Sequence, residues 1–187
     1  NGLELHDIVA NHNNPIIEKI ANIETPIVTA IKGVAAGAGA NIALACDICI
    51  ACESASFIQA FSKIGLIPDS GGTYFLPRLI GRQRASALMM LGDKVPAKEA
   101  VEIGMIYKFF PDDIFAEEIE KILHKLAKMP TKGLGFTKRA LNHSLTNDLT
   151  TQLAIEEQLQ SAAGLTADYQ EGVQAFLEKR KPTFKGE

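Results

Sequence analysis

Two short stretches of this chain carry residue types whose spacing could do chemistry. The first is Gly33-Val34-Ala35-Ala36-Gly37-Ala38-Gly39-Ala40-Asn41, between a β-branched stretch and a helical one. Amides at a helix start have no intrahelical acceptor and carry a partial positive charge, and small residues let a ligand approach them closely. Such a loop suits an oxyanion or a phosphate. A dinucleotide fingerprint would need glycine where Ile42 stands and an acid near Phe61 or Ser62. A Walker loop would need Gly-Lys-Ser/Thr, which is absent. A small anion or a developing enolate therefore fits better than a nucleotide phosphate. The competing reading is structural: the same small residues would let a helix pack tightly on a sheet.

The second stretch is Gly65-Leu66-Ile67-Pro68-Asp69-Ser70-Gly71-Gly72-Thr73, which sets a carboxylate between a proline and a helix start. Asp69 or Ser70 reads equally as an N-cap, a common role for both types. The flank of Ile64, Leu66 and Ile67 favours chemistry, because a carboxylate against an apolar surface loses hydration and becomes a better proton acceptor. The two readings oppose each other, since a helix start stabilises the charged form.

Other groups offer less. His6, His12, His124 and His143 have no acid or cysteine at suggestive spacing, no G-x-S-x-G supports a serine triad, and no H-x-x-x-H or comparable cluster suggests a metal. Cys46, Cys49 and Cys52 have the spacing of an iron–sulfur run but lack a fourth cysteine. They read as small buried hydrophobes in a reducing compartment.

The elements that must position these loops follow from periodicity. Residues 1–13 are polar and read as a loop or a frayed helix start. A helix begins at Pro15, with Ile16, Ile17, Ile20 and Ile23 at helical spacing. Residues 27–31 form a β-branched strand, 33–39 a loop, 40–46 a small helix, 48–52 a second strand and 55–58 a third. Residues 59–69 are irregular; helices are expected over 70–79, 82–91 and from Pro96 to a stop at Gly104, followed by a strand at 106–110. Phe115, Ile119, Ile122, Leu123 and Leu126 make one helical stripe, and the remainder is helical. Alternating β and α elements predict an α/β fold with parallel pairing, although the strand count is low for a closed domain of that type.

Composition sets the outer limits. The chain has 187 residues, 47% of them apolar and 22% charged, with a formal charge of −3. That is enough for one domain core, and the dispersed basic residues are no nucleic-acid footprint. The apolar run at residues 34–46 is too short and too rich in small residues to span a membrane. The N-terminal residues lack the pattern of a secretory signal, so a cytoplasmic location is expected.

In this order and at this spacing, residues 30–47 and 65–78 resemble the two signature segments of the crotonase superfamily, and the likeness extends to the ending Gly172-Val173-Gln174-Ala175-Phe176-Leu177-Glu178-Lys179-Arg180. The resemblance implies a crotonase-like ββα spiral over residues 1–125, with N-terminal strands missing, and a helical region over 126–187 for trimerisation and covering of CoA. It implies an acyl-CoA thioester as substrate, no cofactor beyond the CoA that the substrate carries, and assembly into homotrimers or hexamers. The Ala38 amide would be one of two oxyanion donors, with Gly37, Asn41, Phe61 and Leu66 shaping the acyl pocket. Phe176 and Lys179 would touch the CoA adenine.

One departure from the family's pattern is informative. Hydratases of the family use two glutamates where this chain has Asn41 and Phe61, neither of which exchanges protons as a carboxylate does. Asp69 remains, at a position where several isomerases and a dehalogenase of the family carry an acid. The resemblance therefore implies an isomerase that shifts a double bond through a thioester enolate. Across residues 55–69 and 167–172 it is similar to the branch that rearranges 1,2-epoxyphenylacetyl-CoA to oxepin-CoA in phenylacetate degradation. The alternatives are an enoyl-CoA hydratase and a catalytically silent acyl-CoA-binding subunit.

Overall fold

A computed structural model describes the backbone of residues 2–187 and the side chains from Glu4 onward. The chain forms two compact units, one comprising residues up to 21 with Ile27–Glu120, the other Asn22–Pro26 with Lys121–Glu187.

In the first unit the polar N-terminal stretch is helical rather than a loop. Helix α1 (Gly2–Ile8) runs through a π-helical turn (Val9–Asn13) into α2 (Asn14–Asn22). The π turn inserts a residue and shifts the phase of the apolar positions, so helical spacing becomes legible only after Pro15.

The β-branched stretches form two small sheets. Strand β1 (Val28–Ile31) pairs in parallel with β3 (Ile48–Cys52), which pairs in parallel with β6 (Lys108–Phe110). Strand β2 (Val34–Ala36), inside the expected loop, pairs in parallel with β4 (Ser56–Ile58). Strand β5 (Lys94–Pro96) is antiparallel to β4 and went unseen because three residues carry no periodicity. Between the sheets in chain order lies α3 (Ala38–Ala45), whose alanines let it bury five of its eight residues. A 3₁₀ turn (Ala60–Ile64) leads to α4 (Gly72–Ile80), α5 (Arg82–Leu91) and α6 (Ala97–Glu102). Phe57, Ile50 and Leu76 are fully buried here. Each contributes about 1.5–3 kcal/mol by leaving water. Cys49 and Cys52 are buried and Cys46 half-buried, and none of the three is joined in a disulfide. Burial pushes the Cys49 thiol up, as expected of a small hydrophobe.

The second unit is helical. It takes the end of α7 (Phe115–Ala127), then α8 (Thr131–Ser144), α9 (Leu149–Gly164) and α10 (Ala167–Leu177). Glu24 pairs with Arg139 of α8. The C-terminal tail is clamped by two acids of α10. Glu171 accepts from the two terminal guanidinium nitrogens of Arg180, at 2.6 and 2.8 Å, and from the Thr183 amide. Arg180 holds the Glu171 carboxyl down to about 2. Asp168 accepts the Lys185 and Gly186 amides at 2.7 and 2.8 Å.

Candidate functional site

Gly37 is the residue that turns the glycine/alanine run into a helix start. Its φ of 54° and ψ of −126° lie where a Cβ is strongly disfavoured. Its own amide is used, donating to the Ile58 carbonyl at 2.9 Å. The first helical hydrogen bond runs from the Asn41 amide to the Gly37 carbonyl at 3.2 Å. The Ala38, Gly39 and Ala40 amides therefore have no acceptor within the helix, and no side chain caps them. Ala38 thus presents the kind of donor that a developing oxyanion needs.

Phe61 lies across this turn. It is buried, and a Cβ on Gly37 would sit 3.6 Å from its ring. The Phe61 carbonyl accepts the Leu66 amide at 3.0 Å, which carries the chain from the 3₁₀ turn toward Asp69.

Neither Asp69 nor Ser70 caps α4. The N-cap is Gly71, in the left-handed region at φ 74°, with no side-chain hydrogen bond. Ser70 is also left-handed, at φ 51°. The half-buried Asp69 carboxylate accepts the Ser70 hydroxyl on Oδ1 at 3.0 Å and faces the Asn13 amide at 3.4 Å from Oδ2. It lines a cleft of about 520 Å³ with Leu66, Ile67, Pro68, His6 and Asn14.

The expected site residues fall into three groups. Asp69 and Leu66 share that cleft. Gly37, Ala38 and Phe61 form the adjoining turn and do not line it. Asn41 is committed to the protein itself: it is fully buried, its Nδ2 donates to the Asp69 main-chain carbonyl at 2.9 Å, and its Oδ1 accepts from Gln59 at 2.7 Å. Asn41 thereby ties the helix bearing Ala38 to the loop bearing Asp69.

Phe176 and Lys179 lie in the second unit. Phe176 is 82% exposed. It lines an apolar cleft of about 460 Å³ with Tyr169, Val173, Leu177 and Phe184, whereas Lys179 does not.

His6 was set aside on spacing, and Asn13, Asn14 and Gln59 escaped notice in the sequence. Only the 3.6-residue period of residues 2–22 could have flagged the first three, and the π turn obscures it.

Over residues 2–187 the chain matches the family described as Enoyl-CoA hydratase/isomerase. It is 50% identical over 173 residues to the 1,2-epoxyphenylacetyl-CoA isomerase of Escherichia coli strain K12, covering 92% of this chain and 66% of that protein. It is 43% identical over 185 residues to a Rhodobacter capsulatus protein named "Probable enoyl-CoA hydratase", covering 99% of this chain and 72% of that protein. The crystal structure of an enoyl-CoA hydratase from Bacillus anthracis matches with a TM-score of 0.95 at 36% identity, over 100% of this chain and 72% of that one. The chain thus spans 66% of the length of the first curated relative and 72% of the second. With the turn at Gly37 and the loop at Asp69 both in place, and with a match running from residue 2 to residue 187, this chain belongs to the enoyl-CoA hydratase/isomerase family, the crotonases.

Proposed function

We propose that this chain is the acid–base part of an acyl-CoA isomerase that shifts a double bond or rearranges a ring epoxide through a thioester enolate. The observation that carries this reading is the single carboxylate of Asp69, which lines a cleft and caps nothing. Asp69 takes the proton from the carbon next to the thioester. The electron pair moves to the thioester oxygen, where the Ala38 amide stabilises it. The same carboxyl then returns the proton to a distal carbon, so the bonding shifts with no net gain or loss of atoms. Hydration would require a second acid–base group to activate water, and Phe61, buried against Gly37, supplies none. Rearrangement of 1,2-epoxyphenylacetyl-CoA to oxepin-CoA adds to this proton transfer the opening of the ring carbon–carbon bond that the epoxide bridges, again with no change of mass, and the E. coli relative is named as a 1,2-epoxyphenylacetyl-CoA isomerase.

No cofactor enters this scheme, because CoA arrives as part of the substrate. Gly37, Phe61 and Leu66 bound the acyl group, Asn41 acts from behind the loop, and Phe176 and Lys179 contact the adenine end. The site is expected to work in the cytoplasm. No described helix is long and apolar enough to cross a membrane.

Product mass tests the reaction class. A 3-enoyl-CoA incubated with the protein is expected to give a conjugated 2-enoyl-CoA of unchanged mass. A product heavier by one water, or released CoA, would instead support the hydratase or a thioesterase. Binding without conversion across a panel of acyl-CoAs would support a silent subunit.

The same reading includes assembly into a homotrimer or hexamer. Helix α9 buries none of its sixteen residues, and Leu149 is 74% exposed. Leucines this bare, Leu149 and Leu153 among them, are normally covered by a partner when they lie together on one surface. Sedimentation at micromolar concentration is expected to give three or six copies; a monomer would rule this assembly out.

A further inference from the structure

The buried amides behind Asp69 have a polarity that only one arrangement satisfies. The Asp69 main-chain carbonyl can only accept, so Asn41 must turn its Nδ2 toward it, at 2.9 Å. Asn41 Oδ1 then faces the other way and requires a donor, which Gln59 Nε2 supplies at 2.7 Å. Gln59 is 2% exposed, and its Oε1 is left with no hydrogen-bond partner. Buried pairs that serve only stability rarely leave an acceptor unsatisfied, because the lost hydration is not recovered. Gly72 closes the other side: a Cβ there would sit 2.3 Å from Asn41 Nδ2, so only glycine lets α4 come down onto this amide.

Between the pinned carbonyl and α4 stand two left-handed residues, Ser70 at φ 51° and Gly71 at φ 74°. Ser70 is 1% exposed, and its hydroxyl donates to Asp69 Oδ1 at 3.0 Å. A serine in this conformation is strained and persists only where its surroundings hold it. The pin on the Asp69 carbonyl is such a restraint. It fixes where the Asp69 Cα sits and therefore where its carboxylate can reach.

We infer that Gln59 and Asn41 form a positioning relay for Asp69, acting on the carboxylate through its main chain rather than by touching substrate. This rests on the reading of Asp69 as the proton-transferring group. Misplacing a catalytic group by about 1 Å can cost roughly 10²-fold in rate.

The test uses Gln59→Met, which keeps the length of the side chain and removes its amide. The change deletes one unpartnered acceptor, Gln59 Oε1, and creates another, Asn41 Oδ1, so the fold is expected to survive. Gln59→Leu serves as a second variant with the same loss. For the 3-enoyl-CoA shift, kcat is expected to fall by about 10-fold or more, with KM within about twofold of wild type. In an Asp69→Asn background the same substitutions should lower the residual rate no further. Wild-type kcat in either soluble Gln59 variant would overturn the relay, as would an equal fold-loss in the Asp69→Asn background. Full activity of Asp69→Asn alone would overturn the proton-transfer reading and the relay with it. An inactive Asp69→Asn beside a fully active Gln59→Met would overturn the relay alone.

Discussion

Asp69→Asn is expected to lower kcat for the 3-enoyl-CoA shift by about 10³-fold, within the range ascribed to a positioned general base. The amide keeps the shape of the carboxylate and can still accept the Ser70 hydroxyl, but it cannot take a proton from carbon. The main-chain bonds at this position, from Asn41 Nδ2 and from the Gly72 amide, do not involve the side chain. Thermal stability should therefore stay within about 1 kcal/mol of wild type, as for substitutions that leave packing and caps intact. Affinity for a CoA ester, measured by calorimetry, should also be retained. The loss of turnover is what separates a base from a cap, because asparagine caps a helix about as well as aspartate and replacing a mere cap would leave the chemistry intact. Unchanged turnover would end the claim that Asp69 moves the proton.

Gly37→Ala should be nearly as damaging, but by another route. At φ 54° and ψ −126° an alanine is strained by about 1–3 kcal/mol, although its methyl would meet the Phe61 ring only at an ordinary contact distance of 3.6 Å. The chain relieves this by rotating the turn, which swings the Ala38 amide away from the thioester oxygen. Loss of one oxyanion donor costs about 10²–10³-fold in kcat. The melting temperature should fall as well, unlike in Asp69→Asn. The two variants thus give different signatures, activity alone in one and activity with stability in the other. A Gly37→Ala protein that folds and turns over at the wild-type rate would remove Ala38 from the oxyanion site.

The two chemical loops were legible because their features are local. Gly37 sits at the required positive φ at the mouth of α3, and Pro68-Asp69 lies just ahead of α4. The strands at 28–31 and 48–52 were legible for the same reason, since β-branched side chains restrict their own backbone. The roles of Asp69 and Asn41 were not. A carboxylate three residues ahead of a helix looks like a cap in one dimension. Only the structure shows that the N-cap is Gly71 and that no side chain caps this helix. Asn41 reads as lining a pocket, whereas it is fully buried and holds Asp69 from behind.

What the amino-acid order determined by itself is the set of short-range conformations: which residues turn, which extend, and which amides are left open at a helix start. These depend on sterics within a few residues, and the residue types specify them. What only the tertiary structure decided is which groups meet. Asn13 reaches Asp69 across 56 positions, Asn41 across 28, and Gln59 reaches Asn41 across 18. No local rule encodes such meetings, because they arise where separate elements are driven together to bury apolar surface, and the polar groups caught between them must then find partners.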